Sequence, residues 1–241
     1  MKDFLLILFL IFAGQTLGSL IGLIKKPSKV ALYGSLSFAA SMMIAISFIQ
    51  LIPEGLKYAP LFLITSSFFA GIAIMWAVDW SLPHINPELI KKEKPSVKRS
   101  VTMLVIGIAL HNIPEGLAIG VGFAITAELG IVIALAIAIQ DLPENIATIV
   151  PLYSMTKKKA KSFAILVSTV LFEVVGFILG YFALRGTSLS WLGASLALAA
   201  GFMVYISIEE LIPSAQVKKY PKIAAAAMVL GVICVLLTSL I

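Results

Sequence analysis

Charge, histidine and cysteine are all scarce in this chain of 241 residues. Charged residues make up 12% of it, about half the share with which a soluble domain covers its surface. A water-facing globular fold is therefore excluded. A single cysteine, Cys234, rules out a disulfide framework or a cysteine-rich metal site within one chain. It reads as a small buried apolar residue. Two histidines, His84 and His111, lie too far apart for the His-Glu-x-x-His helix of a zinc hydrolase. An intramembrane metalloenzyme is disfavoured on that ground. No polar/apolar alternation marks a membrane barrel.

Apolar side chains are abundant instead: 60% of residues are hydrophobic and the mean hydropathy is +1.06. A helix needs about 20 apolar residues to cross the hydrocarbon core. Eight stretches qualify: 4–24, 31–53, 60–82, 100–123, 129–153, 163–184, 189–212 and 222–241. A backbone in lipid must satisfy its own hydrogen bonds. The expected fold is an all-α integral membrane protein of eight transmembrane helices, one domain over 1–241. The run from Phe4 to Ile24 exceeds the ~7–15 residues of a signal-peptide core and reads as a retained first helix. The longest connection, 83–99, is charged and contains Pro83, Pro87 and Pro95.

The net charge of +6 is a topology signal. Lys25, Lys26 and Lys29, then Lys91, Lys92, Lys94, Lys98 and Arg99, then Lys157, Lys158, Lys159 and Lys161, then Lys218, Lys219 and Lys222 fill alternate connections. The other side holds Lys2, Lys57 and Arg185. Basic loops stay in the cytoplasm. Both termini are thus expected outside it and the 83–99 loop inside. Nucleic acid is not expected as a partner.

The acidic residues point to function. Asp79, Glu115, Asp141, Glu144, Glu173, Glu209 and Glu210 fall within the expected spans, and Glu54 at the end of one. A charge at the bilayer centre costs at least ~2.5–3.5 kcal/mol. These groups must face the bundle interior, and no lysine or arginine within a span can pair with them. Protons or bound cations must neutralise them.

Two segments at the centre match. His111-Asn112-Ile113-Pro114-Glu115-Gly116 in span four and Gln140-Asp141-Leu142-Pro143-Glu144-Asn145 in span five repeat one polar pattern 29 residues apart. Their i, i+3 and i, i+4 spacing puts the polar groups on one helix face. Pro114 and Pro143 cannot bond the carbonyls of Leu110 and Ile139, so an irregular, kinked backbone is expected there. An imidazole, carboxylates and amides without thiolate suit a borderline divalent cation: zinc first, then iron(II), manganese, cobalt or cadmium.

Ser47-Phe48-Ile49-Gln50-Leu51-Ile52-Pro53-Glu54 is similarly repeated, 160 residues on, as Ser207-Ile208-Glu209-Glu210-Leu211-Ile212-Pro213-Ser214. These spans run in opposite directions, with Pro53 and Pro213 expected to end them. The architecture reads as a 3+2+3 inverted-repeat bundle, a common way to build a midplane binding site.

These motifs resemble the ZIP family of metal transporters, whose fourth and fifth spans carry His-Asn-x-x-Pro-Glu-Gly-like segments. The resemblance covers nearly the whole chain and is most specific at 111–118 and 140–147. Gln140-Asp141 and Asn145 match a subset of the family, and the 83–99 loop lacks its frequent histidine run. The resemblance implies a homodimer in the cell (cytoplasmic) membrane that moves zinc, or cadmium, iron(II), manganese or cobalt, toward the cytoplasm by sliding one helix group against another. It implies His111, Glu115, Gln140 and Glu144 as ligands of one ion. Asn112, Asp141 and Glu173 complete a second, with Glu115 and Glu144 bridging. Asp79, Glu209 and Glu210, with His84, resemble a cytoplasmic exit site. The ion is substrate, and no cofactor is expected.

The alternative is a proton- or sodium-coupled carrier of another solute, which buried carboxylates also fit. Imidazole and amide ligands favour metal. Four crowded carboxylates hold protons when no metal is bound, so metal binding is expected to weaken as pH falls.

Overall fold

The computed structural model of the chain describes residues 1–25, 27–81 and 97–240. Eight helices in it are long and apolar enough to cross a membrane: α1 (Lys2–Ile24), α2 (Lys29–Leu56), α3 (Leu61–Ser81), α4 (Val97–Ile125), α5 (Ala127–Thr156), α6 (Lys159–Ala183), α7 (Leu189–Ser214) and α8 (Pro221–Thr238). Most of the 83–99 connection, with His84, lies outside the described residues. Its last residues, from Val97, already belong to α4.

Side chains start several of these helices. The Ser28 hydroxyl accepts from the Ala31 amide to cap α2, and Thr126 accepts from Leu129 to cap α5. Such caps satisfy amides that the first turn leaves unpaired. Thr126 alone separates α4 from α5. The two motif helices therefore form a tight antiparallel hairpin. Their polar segments lie about 15–30 Å below its tip, at 1.5 Å per residue.

The helices sort into two groups. Helices α1, α4, α5 and α6 pack together, as do α2, α3, α7 and α8. The contacts follow the inverted repeat. The pairing of α1 with α5 corresponds to that of α6 with α4, α3 with α7 to α8 with α2, and α2 with α5 to α7 with α4.

Glycines set the closest approaches. A Cβ at Gly14 would lie 2.5 Å from the Ala138 carbonyl oxygen and 2.9 Å from the Asp141 Cβ. Gly116 approaches the Glu173 carbonyl of α6 more closely still, as Gly176 does the Ile113 carbonyl of α4. Small residues let membrane helices gain contact where lipid gives no hydrophobic drive to associate.

The wide turns of the backbone lie away from the two central prolines. Helices α4 and α5 run unbroken through Pro114 and Pro143. Wide turns occur instead at Ile46–Leu51, Leu179–Ala183 and Ser207–Leu211. The first and third are repeat mates in detail. Ile52 N–H bonds the Ser47 carbonyl and Ile212 N–H that of Ser207, five residues back. The hydroxyls of Ser47 and Ser207 bond the carbonyls of Met43 and Met203. Pro53 and Pro213 follow these turns, and their helices end within three residues of them, at Leu56 and Ser214. A proline lacks the N–H of the next bond, and the wide turn absorbs that break.

Buried apolar residues fill the space between the two groups on the side of the α4–α5 turn: Ile46, Ile119, Ile133, Ile137, Leu196 and Met203. Helices α3 and α8 expose most of their apolar surface, as lipid-facing helices do.

Candidate metal centre

The two repeated motifs meet inside the bundle. Carboxylate oxygens of Glu115, Asp141 and Glu144 lie within 4.8 Å of one another. All three residues are buried, as is Gln140. The Gln140 Nε2 donates to Glu115 Oε1 at 2.5 Å and to Glu144 Oε2 at 3.5 Å. A donor thus sits between two carboxylates, where a cation would neutralise both. The bond to Glu115 crosses from α5 to α4, so the hairpin brings the motifs together as their spacing suggested.

His111 is aimed by its own helix. Its Nδ1 lies 2.8 Å from the Gly107 carbonyl oxygen. A carbonyl only accepts, so Nδ1 carries the proton and Nε2 of the neutral ring keeps its lone pair. A backbone carbonyl often orients a metal-binding histidine in this way. Nε2 lies 3.6 Å from Glu210 Oε2, too far for a hydrogen bond.

Four buried atoms here have no hydrogen-bond partner: His111 Nε2, Gln140 Oε1, Asp141 Oδ2 and Glu173 Oε1. An unsatisfied buried polar atom costs about 1–3 kcal/mol. These atoms are an imidazole nitrogen and three oxygens, the donors that a borderline divalent cation takes as ligands.

Glu173, like His111, stands apart from the three-carboxylate cluster. It is fully buried on α6. Its Oε2 accepts from Gln15 Nε2 of α1 at 2.8 Å. The Thr169 hydroxyl contacts Gln15 Oε1 at 3.4 Å, and the Thr169 carbonyl accepts from Asn112 Nδ2 at 3.0 Å. Asn145 donates to the Asp141 carbonyl at 2.9 Å. Gln15 and Thr169 were not among the residues picked from the sequence. The available signal was a primary amide halfway along the first apolar span.

The chain's relatives bear on this centre. A family model described as ZIP Zinc transporter matches residues 83–239, which contain both central motifs and Glu173. A protein named zinc transporter ZupT from Enterobacter sp. (strain 638) is 35% identical over 222 residues, covering 88% of this chain and 86% of that protein. Proteins of the same name from Salmonella heidelberg (strain SL476) and Escherichia coli O7:K1 (strain IAI39 / ExPEC) are 33% and 34% identical, with the same coverage. This chain belongs to the ZIP family. It is a multi-pass membrane transporter of divalent metal, with zinc as substrate, and not an enzyme.

In this ZIP chain a cavity of about 710 Å³ reaches the centre from one face. Its deep wall holds His111 and Glu144, and its sides Met103, Gly107 and Glu210. Its mouth is formed by Ser100, Met155 and Ser214, at helix ends next to the lysine-rich connections. On the opposite face the apolar packing between the groups closes the way. The acids singled out as an exit set divide in the structure. Glu210 lines the cavity. Asp79 accepts a hydrogen bond from the Tyr205 hydroxyl at 3.0 Å, and Glu209 is exposed. Glu54 is engaged at the far face, 2.6 Å from Lys57 and 3.2 Å from the Tyr58 hydroxyl. Glu54 holds the Lys57 ammonium above its ordinary range.

Proposed function

We propose that this transporter moves zinc, and with it cadmium, iron(II), manganese or cobalt, into the cytoplasm through a two-ion site at the middle of the bilayer. His111, Glu115, Gln140 and Glu144 hold one ion. Turning the Gln140 amide over brings its unpartnered Oε1 to bear on a cation between Glu115 and Glu144. Asn112, Asp141 and Glu173 complete the second site, with Glu115 and Glu144 shared. Four carboxylates balance two divalent ions. The meeting of the Glu115, Asp141 and Glu144 carboxylates from two helices, together with unpartnered buried donor atoms on His111, Gln140, Asp141 and Glu173, supports this reading most strongly. The basic loops face the cytoplasm, both termini face away from it, and the cavity is the inward release route. Glu210 receives the ion from His111, and Asp79 and Glu209 are the remaining residues proposed for the exit, together with His84 of the connection outside the described residues. The two helix groups slide against each other to expose the site alternately, and the working unit in the cell membrane is a homodimer.

Zinc influx into proteoliposomes holding a trapped fluorescent indicator tests the site. Wild type is expected to admit zinc. Glu115→Ala is expected to lower influx by about tenfold or more, the equivalent of ~1.4 kcal/mol of lost binding. A folded wild type that admits no zinc, cadmium, iron or manganese would hand the carboxylates to protons or another solute. The site also carries a pH signature. Protonated carboxylates must give up protons to bind metal, so zinc affinity by calorimetry is expected to fall from neutral to mildly acidic pH. Constant affinity would sink this account.

A further inference from the structure

We infer that Gln15 of α1 is a positioning residue of the transport site, acting on metal through Glu173; this rests on the site proposed above. Gln15 is 1% exposed, halfway along an apolar helix. A buried amide there needs partners, because an unpaired polar group in an apolar interior is costly. It finds one in Glu173 Oε2, at 2.8 Å. That bond holds one carboxylate oxygen and leaves the other, Oε1, buried and without a partner. Thr169 Oγ1 lies 3.4 Å from Gln15 Oε1 but gives its proton to the Leu166 carbonyl at 2.6 Å, so the bond to Glu173 is what holds the amide.

The packing that permits this is a glycine stripe along α1, Gly14, Gly18 and Gly22, that runs past the depth of the site. Gly14 and Gly18 flank Gln15 and face the Ala138 and Leu142 carbonyls of α5, with the Asp141 Cβ 2.9 Å from where a Gly14 Cβ would be. Helix α1 is thus pressed onto α5 beside Asp141, and the Gln15 side chain crosses to α6. It makes α1 a fourth wall of the centre, beside α4, α5 and α6. Losing a partner that orients a metal ligand commonly weakens metal binding by about 10–100-fold.

The test is a double-mutant cycle on the purified full chain, read by zinc calorimetry. Gln15→Leu keeps the size and cannot donate. It is expected to weaken zinc binding about tenfold in the wild-type background and by less than about twofold once Glu173→Gln is present, since a residue acting through Glu173 has nothing left to position. The zinc-free melting temperature is followed in parallel, because a purely structural Gln15 lowers it equally in both backgrounds. Infrared difference spectra without metal read the contact itself. Removing the N–H donor is expected to shift a carboxyl band, and the shift is expected to vanish with Glu173→Gln. If Gln15→Leu does not fold, Gln15→Met takes its place. A wild type that binds zinc, with equal losses in both backgrounds or no band shift, overturns the inference. A wild type that binds no zinc overturns the site itself.

Discussion

Glu144 and Glu173 are both buried carboxylates on central helices, yet their surroundings differ. Glu144 belongs to the 4.8 Å cluster, touches the Gln140 amide and lines the cavity. Glu173 lies outside that cluster and is fixed by Gln15. In the proposed two-ion site a shared ligand would serve both ions, whereas Glu173 would serve one. Glu144→Ala is therefore expected to slow zinc influx more than Glu173→Ala in the same vesicles, and equal losses would argue against shared ligands. His111 shows how much a single bond decides at this scale. The Gly107 carbonyl assigns the ring proton, and with it the nitrogen that can meet a cation.

At the level of helices, glycine positions separate close packing from open space. Gly116 of α4 meets the Glu173 carbonyl and lies, by its missing Cβ, 2.7 Å from the Phe177 amide nitrogen. Backbone cannot move aside as a side-chain tip can. Gly116→Ala is expected to destabilise the protein by about 1–3 kcal/mol, read as a lower melting temperature in detergent. Gly107→Ala, on the same helix, finds nothing nearer than Glu210 Oε1 at 3.6 Å. It is expected to be neutral or to stabilise by roughly 0.5–1 kcal/mol, since glycine weakens a helix interior. The wide turns before Pro53 and Pro213 make the complementary point. Wide turns of this kind are rare and often mark functional sites. Here two occur at equivalent places of an inverted repeat, each locked by a serine hydroxyl on the carbonyl four residues back.

The whole molecule is asymmetric in access. A cavity lined by Ser100, Met155, Glu210 and Ser214 opens toward the lysine-rich connections, and apolar side chains fill the other half of the seam between the groups. Single cysteines placed in a Cys234→Ser background can check this. Ser100→Cys and Ser214→Cys are expected to react with a water-soluble maleimide offered from the lysine-rich side. Ala134→Cys and Leu196→Cys, both buried in the packed half, are expected to stay unlabelled from either side. Labelling of the latter pair from the far face would mean that the seam opens there.

Eight helices, their antiparallel order and the central motifs were all legible in the chain itself. Lipid leaves the backbone one economical solution, and a charge within an apolar run is too costly to be incidental. His111 and Glu115 on one face, and Gln140 and Glu144 on another, follow from helical periodicity alone. What only the tertiary structure decided lies between helices. Periodicity says nothing of which glycines let α1 approach α5, so the bond from Gln15 to Glu173 could not be read from spacing. Nor could the division of Glu210 and Asp79 between the cavity and Tyr205, which depends on how α7 is rotated against α3 and α4. The wide turns escaped for a related reason. Proline marks where an α-helical bond must fail, but whether the helix runs on through it or widens depends on what packs around it.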